Sequence, residues 1–293
     1  MVEWRSTGNI TEITDTISQL DSLRSRGAAL GCPIMPGSRI ASFEQHLRRF
    51  LDPAYHPRSD PEFDPTVLAH GSRDLFELNF ICDKLAGSHP TQLRAALPHL
   101  LSGPVVPQEK GRNEMPRNLQ FQFFLAAQLA HSGFPVTLDE PDAVFVHEGV
   151  GFGLAVKRPG SERQVIRRIR EGVNQLGRRG VSGFVALSLD RLLRSPNPYV
   201  IARGPAALDH AAQALLRETF APYAREARKA VARTTITGLI ISLTVVGCVR
   251  VPWQAAHTTA TLWVPREDDL PHEEALVRSV YNVLKGPTLP SDQ

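Results

Sequence analysis

The sequence predicts an α/β protein, a mixed central sheet flanked by helices and preceded by a mostly helical N-terminal region. Three observations predict it. Apolar residues in the first 110 positions recur at helical spacing. From Asn118 the pattern becomes helix, three short strands, helix, buried strand, helix, two strands and a closing helix. That alternation favours a mixed sheet with helices packed on it. The chain has 293 residues, 42% of them hydrophobic and 22% charged, so it can bury a core without disulfide or metal staples.

The elements follow in order. Ile13, Ile17, Leu20 and Leu23 mark a helix within Ile10–Leu30, and Phe43–Leu51, Asp74–Leu85 and Thr91–Leu101 repeat the spacing. The stretch Asp52–Pro65, rich in Pro, Asp and His, reads as a loop. Gly103–Arg117 is polar and holds three prolines, so a boundary is placed there. Residues 1–110 form the helical region and 111–293 the second unit. In that unit Asn118–His131 is a strong helix, closed by Ser132-Gly133. Strands are expected at Pro135–Leu138, Ala143–His147 and Phe152–Lys157, with a Gly-containing hairpin turn at Glu148–Gly151. Ser161 and Gln164 suit a capping box for a helix reaching about Arg179. Gly183–Leu189 is a buried strand, Pro205–Ala232 a long, broken helix, Thr235–Val246 and Thr259–Val264 strands, and Glu273–Leu284 a closing helix.

Several function classes are excluded. The longest apolar run, Gly238–Val249, is far short of the ~20 residues of a spanning helix, so no membrane partner is expected. Three scattered cysteines and the absence of a signal-peptide pattern point to a cytoplasmic protein. No HExxH, GxSxG or Walker pattern is present. Gly149, Gly151 and Gly153 lie between two strands, so they fail the context of a dinucleotide loop.

Charge is patterned more sharply than the net +3 suggests. The chain has 28 Arg and only 5 Lys, so Lys157 at a strand end stands out. From Lys157 to Arg179 eight basic residues face Glu162 and Glu171. Such a stripe, with Arg158, Arg163, Arg167 and Arg170, can neutralise phosphates. The alternative for the stripe is a solvated helix face.

The segment from Asn118 to Asp190 resembles the PD-(D/E)xK nuclease superfamily, the fold of many restriction endonucleases and RecB-like nucleases. The features behind the resemblance are Pro141-Asp142 opening one strand, Lys157-Arg158-Pro159 ending the next, and Gln175 in the following helix. It covers about 75 residues well, fits the C-terminal part more loosely and leaves residues 1–110 aside. The resemblance implies metal-dependent phosphodiester hydrolysis of nucleic acid, DNA in the first place, with Mg²⁺ or Mn²⁺ as cofactor. It makes Asp142 and the Val156 backbone carbonyl metal ligands, with Lys157 facing the phosphate. It also implies pairing, since many relatives act as homodimers.

The sequence departs from the pattern where the acid is expected, at Ala155, and in the preceding helix, where Gln122 replaces a glutamate. Hard divalent ions prefer carboxylates, and Asp142 alone is a poor magnesium site. Three explanations stay open. The protein is a non-cleaving member that binds nucleic acid or protein, or an acid at 155 has been substituted by alanine, or the acid has moved. Glu171 is a candidate for a moved acid, but it lies about 160° from the apolar face of Ile166, Ile169, Val173 and Leu176. Glu162, suited to the helix dipole, and Glu140 are the others.

Overall fold

The computed structural model describes residues 3–11, 13–52, 54, 64–107, 115–139, 142–193, 199–232, 234, 236–250, 253–266, 275, 278–280 and 282. The expected α/β architecture is present. Four helices, α1 (Ile13–Ala29), α2 (Arg39–Leu51), α3 (Pro65–Leu85) and α4 (Pro90–Leu100), build the N-terminal region. Their apolar faces meet in one core through Leu20, Phe43, Leu78, Ile81 and Leu97. Helix α5 (Met115–His131) shares that core through Phe123 and Ala127 and turns Leu125, Ala126 and Leu129 onto the sheet. One helix thereby joins the two parts.

Strands β2 (Val136–Thr137), β3 (Ala143–His147) and β4 (Val150–Lys157) form an antiparallel meander. The β3–β4 turn is Glu148-Gly149, both at positive φ, as a two-residue hairpin turn requires. Helix α6 (Val165–Arg179) then crosses to β5 (Gly183–Ser188), parallel to β4. Strand β6 (Tyr199–Ala202), α7 (Pro205–Phe220) and α8 (Ala224–Val231) follow, then β7 (Gly238–Arg250) and β8 (Trp253–Pro265). The sheet runs β1-β8-β7-β5-β4-β3-β2, where β1 is Glu3–Thr11, and β6 also pairs with β7.

Alternation along β5 separates the two faces. Phe184 and Ala186 pack toward α5, while Val185 and Leu187 pack in the core with α6, α7 and α8. A side chain at Gly172 would meet Val185 at 2.7 Å, so glycine there lets α6 lie against the sheet. A side chain at Gly183 would strike the Gly153 carbonyl at 1.9 Å.

Some details differ from expectation. Strands β1 and β6 were not anticipated, and β1 brings the N-terminal stretch into the same sheet. Strand β7 lies three to four residues further along than expected, and β8 is about twice as long as expected, because the two pair with each other along their whole length. The capping box does not form. Ser161 makes no side-chain cap, and Gln164 Oε1 instead accepts from the Gly160 N–H at 2.9 Å. Most of the closing helix Glu273–Leu284 lies outside the described residues. No helix among the described residues is long and apolar enough to cross a membrane.

Candidate functional site

The site grows from the open end of the β3–β4 hairpin. Ala143 pairs with Leu154, so the next step of the register sets Asp142 opposite Ala155. The Asp142 carboxylate accepts from the Val156 N–H, Oδ2 to N 2.7 Å. That bond fixes the carboxylate against the end of β4. From α5, Gln122 Nε2 donates to the Asp142 carbonyl at 3.0 Å.

Lys157 completes the cluster. Its Nζ lies 3.3 Å from Asp142 Oδ2, 3.1 Å from the Val156 carbonyl and 2.6 Å from Gln175 Oε1. An ammonium has three N–H donors, and three oxygens receive them. Gln175 reaches this point because α6 runs close over the sheet at Gly172. Gln122, Asp142, Val156, Lys157 and Gln175 are thus brought together from α5, the entry to β3, the end of β4 and α6. The cluster is not sealed, with the Lys157 side chain 16% exposed and that of Asp142 22%.

Ala155 and Lys157 alternate onto the same face of β4. Ala155 is 0% exposed and packs in the core that contains Val165, Ile169 and Leu176 of α6. The position of the expected acid therefore adjoins Asp142 and Lys157 but carries only a methyl group. Among the described residues no three His, Cys, Asp or Glu side chains gather as a metal site would require. The donor set here is one carboxylate and two neutral oxygens, all three engaged by the Lys157 ammonium. That set does not fit a pair of Mg²⁺ or Mn²⁺ ions, which need more carboxylate.

The moved-acid candidates do not repair this. Glu171, 40% exposed, pairs with Arg168 at 2.6 Å and Arg167 at 3.4 Å on the outer side of α6. Its orientation follows the helical wheel. Glu162 is exposed at the start of the helix, and Glu140 lies outside the described residues.

The arginines divide. Arg163, Arg167 and Arg170 are exposed, as a phosphate contact requires. Arg158 corrects the expectation placed on it, for it is buried and not at the surface. Its guanidinium contacts Asp190 at 3.8 Å, Ser188 Oγ at 3.4 Å and Asn118 Oδ1 at 3.5 Å.

Asp190 is the residue that sequence reading missed. It lies two residues past β5, where β5 stops pairing with β7 and before β6 takes over. Its Oδ1 accepts from the Thr244 N–H at 2.8 Å and so fills the gap in the ladder. Its Oδ2 meets Arg73 of α3 at 3.2 Å. Burial pushes the Asp190 carboxyl up, but Arg73, Arg158 and the Thr244 N–H outweigh it and hold the group below the usual carboxylate range. The available signal was an acid closing a fully apolar strand, since a buried acid requires a partner.

Chemically, the cluster presents a cation held by exchangeable partners at a partly open strand end. An anion entering there can take over one of the ammonium's three bonds. Comparison with family models, with curated proteins and with solved structures returns no match for this chain.

Proposed function

We propose that this protein acts on nucleic acid, in the first place DNA, through a site of the PD-(D/E)xK nuclease type. The observation that carries the reading is the convergence of Asp142, Val156, Lys157 and Gln175 within hydrogen-bond distance, although they are spread over 34 positions of sequence. A lysine held between a carboxylate and a glutamine at the end of a hairpin strand suits a phosphodiester group. Its positive charge can meet the charge that develops on phosphate. The reaction class that such a site serves is phosphodiester hydrolysis.

A second reading has its own observation. Ala155 supplies no carboxylate, and Asp142 Oδ2, the Val156 carbonyl and Gln175 Oε1 are already bonded to Lys157. This favours a module that retains the nuclease arrangement and binds nucleic acid without cutting it.

The test is a nuclease assay on linear, circular and single-stranded DNA and on RNA, in Mg²⁺ or Mn²⁺. The native chain is run beside Lys157→Ala, Ala155→Glu and the double variant. The nuclease-type site predicts cleavage by Ala155→Glu that falls at least about 10²-fold when Lys157 is also replaced. Salt-dependent DNA binding without cleavage by any form supports the second reading. No binding and no cleavage overturns both.

A further inference from the structure

The basic residues of α6 and α8 are far apart in sequence but adjacent in the fold. The two helices pack together through Ala227 and Val231 of α8 and the α6 residues of the same core, Val165 and Ile169. Their outer faces therefore form one surface. On α6 the exposed Arg167 and Arg170 continue the line begun by Arg163, at intervals of four and three residues. That places Arg167 and Arg170 on one side of α6, with Arg163 in the short 3-10 turn that leads into it. On α8 the exposed side chains include Arg225, Arg228 and Lys229. Because α6 and α8 are in contact, the cations of the two helices share one surface.

The charge balance singles this surface out. From Glu162 to Arg179 six arginines stand against two glutamates, and α8 has three basic residues against Glu226. The two stretches are net +6, the whole chain is +3, and the remainder is therefore net −3. The few acids present are placed to link cations. Glu171 joins Arg167 and Arg168, and Glu226 bonds Lys229 at 2.7 Å while sensing Arg225 and Arg170 across the helix pair. Arg163, Arg178 and Arg228 form no ion pair among the described residues.

We infer that the α6–α8 face is a docking surface for the phosphate backbone of duplex nucleic acid, with the cations of the two helices meeting the two strands. The inference rests on the proposed function and names the surface through which it is served. Helix α6 links the two sites. Its inner face delivers Gln175 to Lys157, and Arg178 and Arg179 follow within about one turn. Cations presented by two adjacent helices, in place of one line along a single helix, favour the two backbones of a duplex over a single strand.

The experiment measures binding of a fluorescent 25-base-pair duplex by anisotropy from 50 to 200 mM salt. The native chain is compared with Arg163→Ser/Arg167→Ser/Arg170→Ser, with Arg225→Ser/Arg228→Ser/Lys229→Ser, and with the α6 triple changed to lysine. All of these side chains are exposed, and two triples on separate helices keep the test independent of either one's folding. Each serine triple is expected to weaken binding at least tenfold at 150 mM salt. Each should also lower the slope of log affinity against log salt by about 2–3. The lysine triple should stay within about threefold of the native chain, and a single strand of equal length should bind more weakly than the duplex. If the native chain binds duplex and both serine triples bind equally well, the surface is wrong and the proposed function stands. If the native chain binds no nucleic acid even at 50 mM salt, the proposed function falls and the surface with it. Binding to anionic lipid vesicles in place of duplex, lost in the same triples, also overturns the inference.

Discussion

Two charged clusters sit on either side of the Lys157-Arg158 bond. One is the open cluster of Asp142, Lys157 and Gln175. The other lies in the seam between the helical region and the sheet, where Asp74 stands 2.9 Å from Arg117 and 3.2 Å from Arg39. In the seam Asp74 is 0% and Arg39 1% exposed. Burial pushes the Asp74 carboxyl up, yet Arg117, Arg39 and Arg73 outweigh it and hold the group well below the carboxylate range. The same burial lowers Arg39 to about 10, against the attraction of Asp74. Arg73, Asp190 and Arg158 form the bridge between the clusters. The difference lies in solvent access, not in residue type. The seam cannot exchange partners without loss of the fold, whereas Lys157 keeps an exposed side from which an anion can approach.

The largest effect should come from breaking the seam. Asp74→Ala leaves two guanidiniums buried without their carboxylate, a change that costs about 3–5 kcal/mol in such settings. Denaturant unfolding should show that loss, while Lys157→Met, at the partly open cluster, should cost less, about 1–3 kcal/mol for the acceptors it leaves unpaired. Equal losses at the two sites would erase the distinction between them.

Acidification attacks the seam next. Burial, aided by Arg117 and Arg73, holds His70 at about 3, and burial with Arg73 does the same for His257. The folded protein thus keeps both neutral, while the unfolded chain takes up protons below about 6.5. The stability involved is present above that pH and is lost as pH falls toward 3, by at most about 1.4 kcal/mol per unit for each histidine. The depressed carboxyls Asp74 and Asp190 contribute above about 4 and lose their contribution only below it. Urea midpoints at pH 7, 6 and 5 should fall steadily, and His257→Gln should flatten the fall. A constant midpoint across that range would show that neither histidine is held neutral.

The open cluster was far more legible in the sequence than the seam. Strands β3 and β4 announce themselves by alternation around a Glu-Gly turn, and α6 by its apolar face and Gly180 stop. Asp142 and Lys157 sit at the ends of strands that were themselves readable, and with Gln175, inside the readable helix α6, they could be named because the family resemblance asks for those residue types there. Strand β6 has four residues, and β1 is mostly polar, EWRSTGNIT, a strand only through its pairing with β8. Arg158 read as a surface cation because its partners are distant in sequence, Asp190 after the next strand and Arg73 behind that in α3. Arg39, Asp74 and Arg117 come from three helices, and nothing local to any of them signals the others.

The smallest change tests the boundary between the two readings of the open cluster. Ala155→Glu places a carboxyl group at a fully buried position beside Asp142, where without a cation it stays protonated, and burying that neutral polar group should cost about 1–3 kcal/mol. If the position completes a cation site, Mg²⁺ should recover that loss, because a ligand at about 100 times its Kd stabilises by roughly 2.7 kcal/mol. The measurement is the melting temperature with and without Mg²⁺, which requires no activity. A Mg²⁺-dependent rise that disappears when Asp142→Asn is added would locate the ion between positions 142 and 155. The arrangement around Lys157 would then be a nuclease site short of one ligand. A variant that melts early and ignores Mg²⁺ would mean that Lys157 has taken the cation's place for good. In that case the strand end is suited to holding phosphate and not to cutting it.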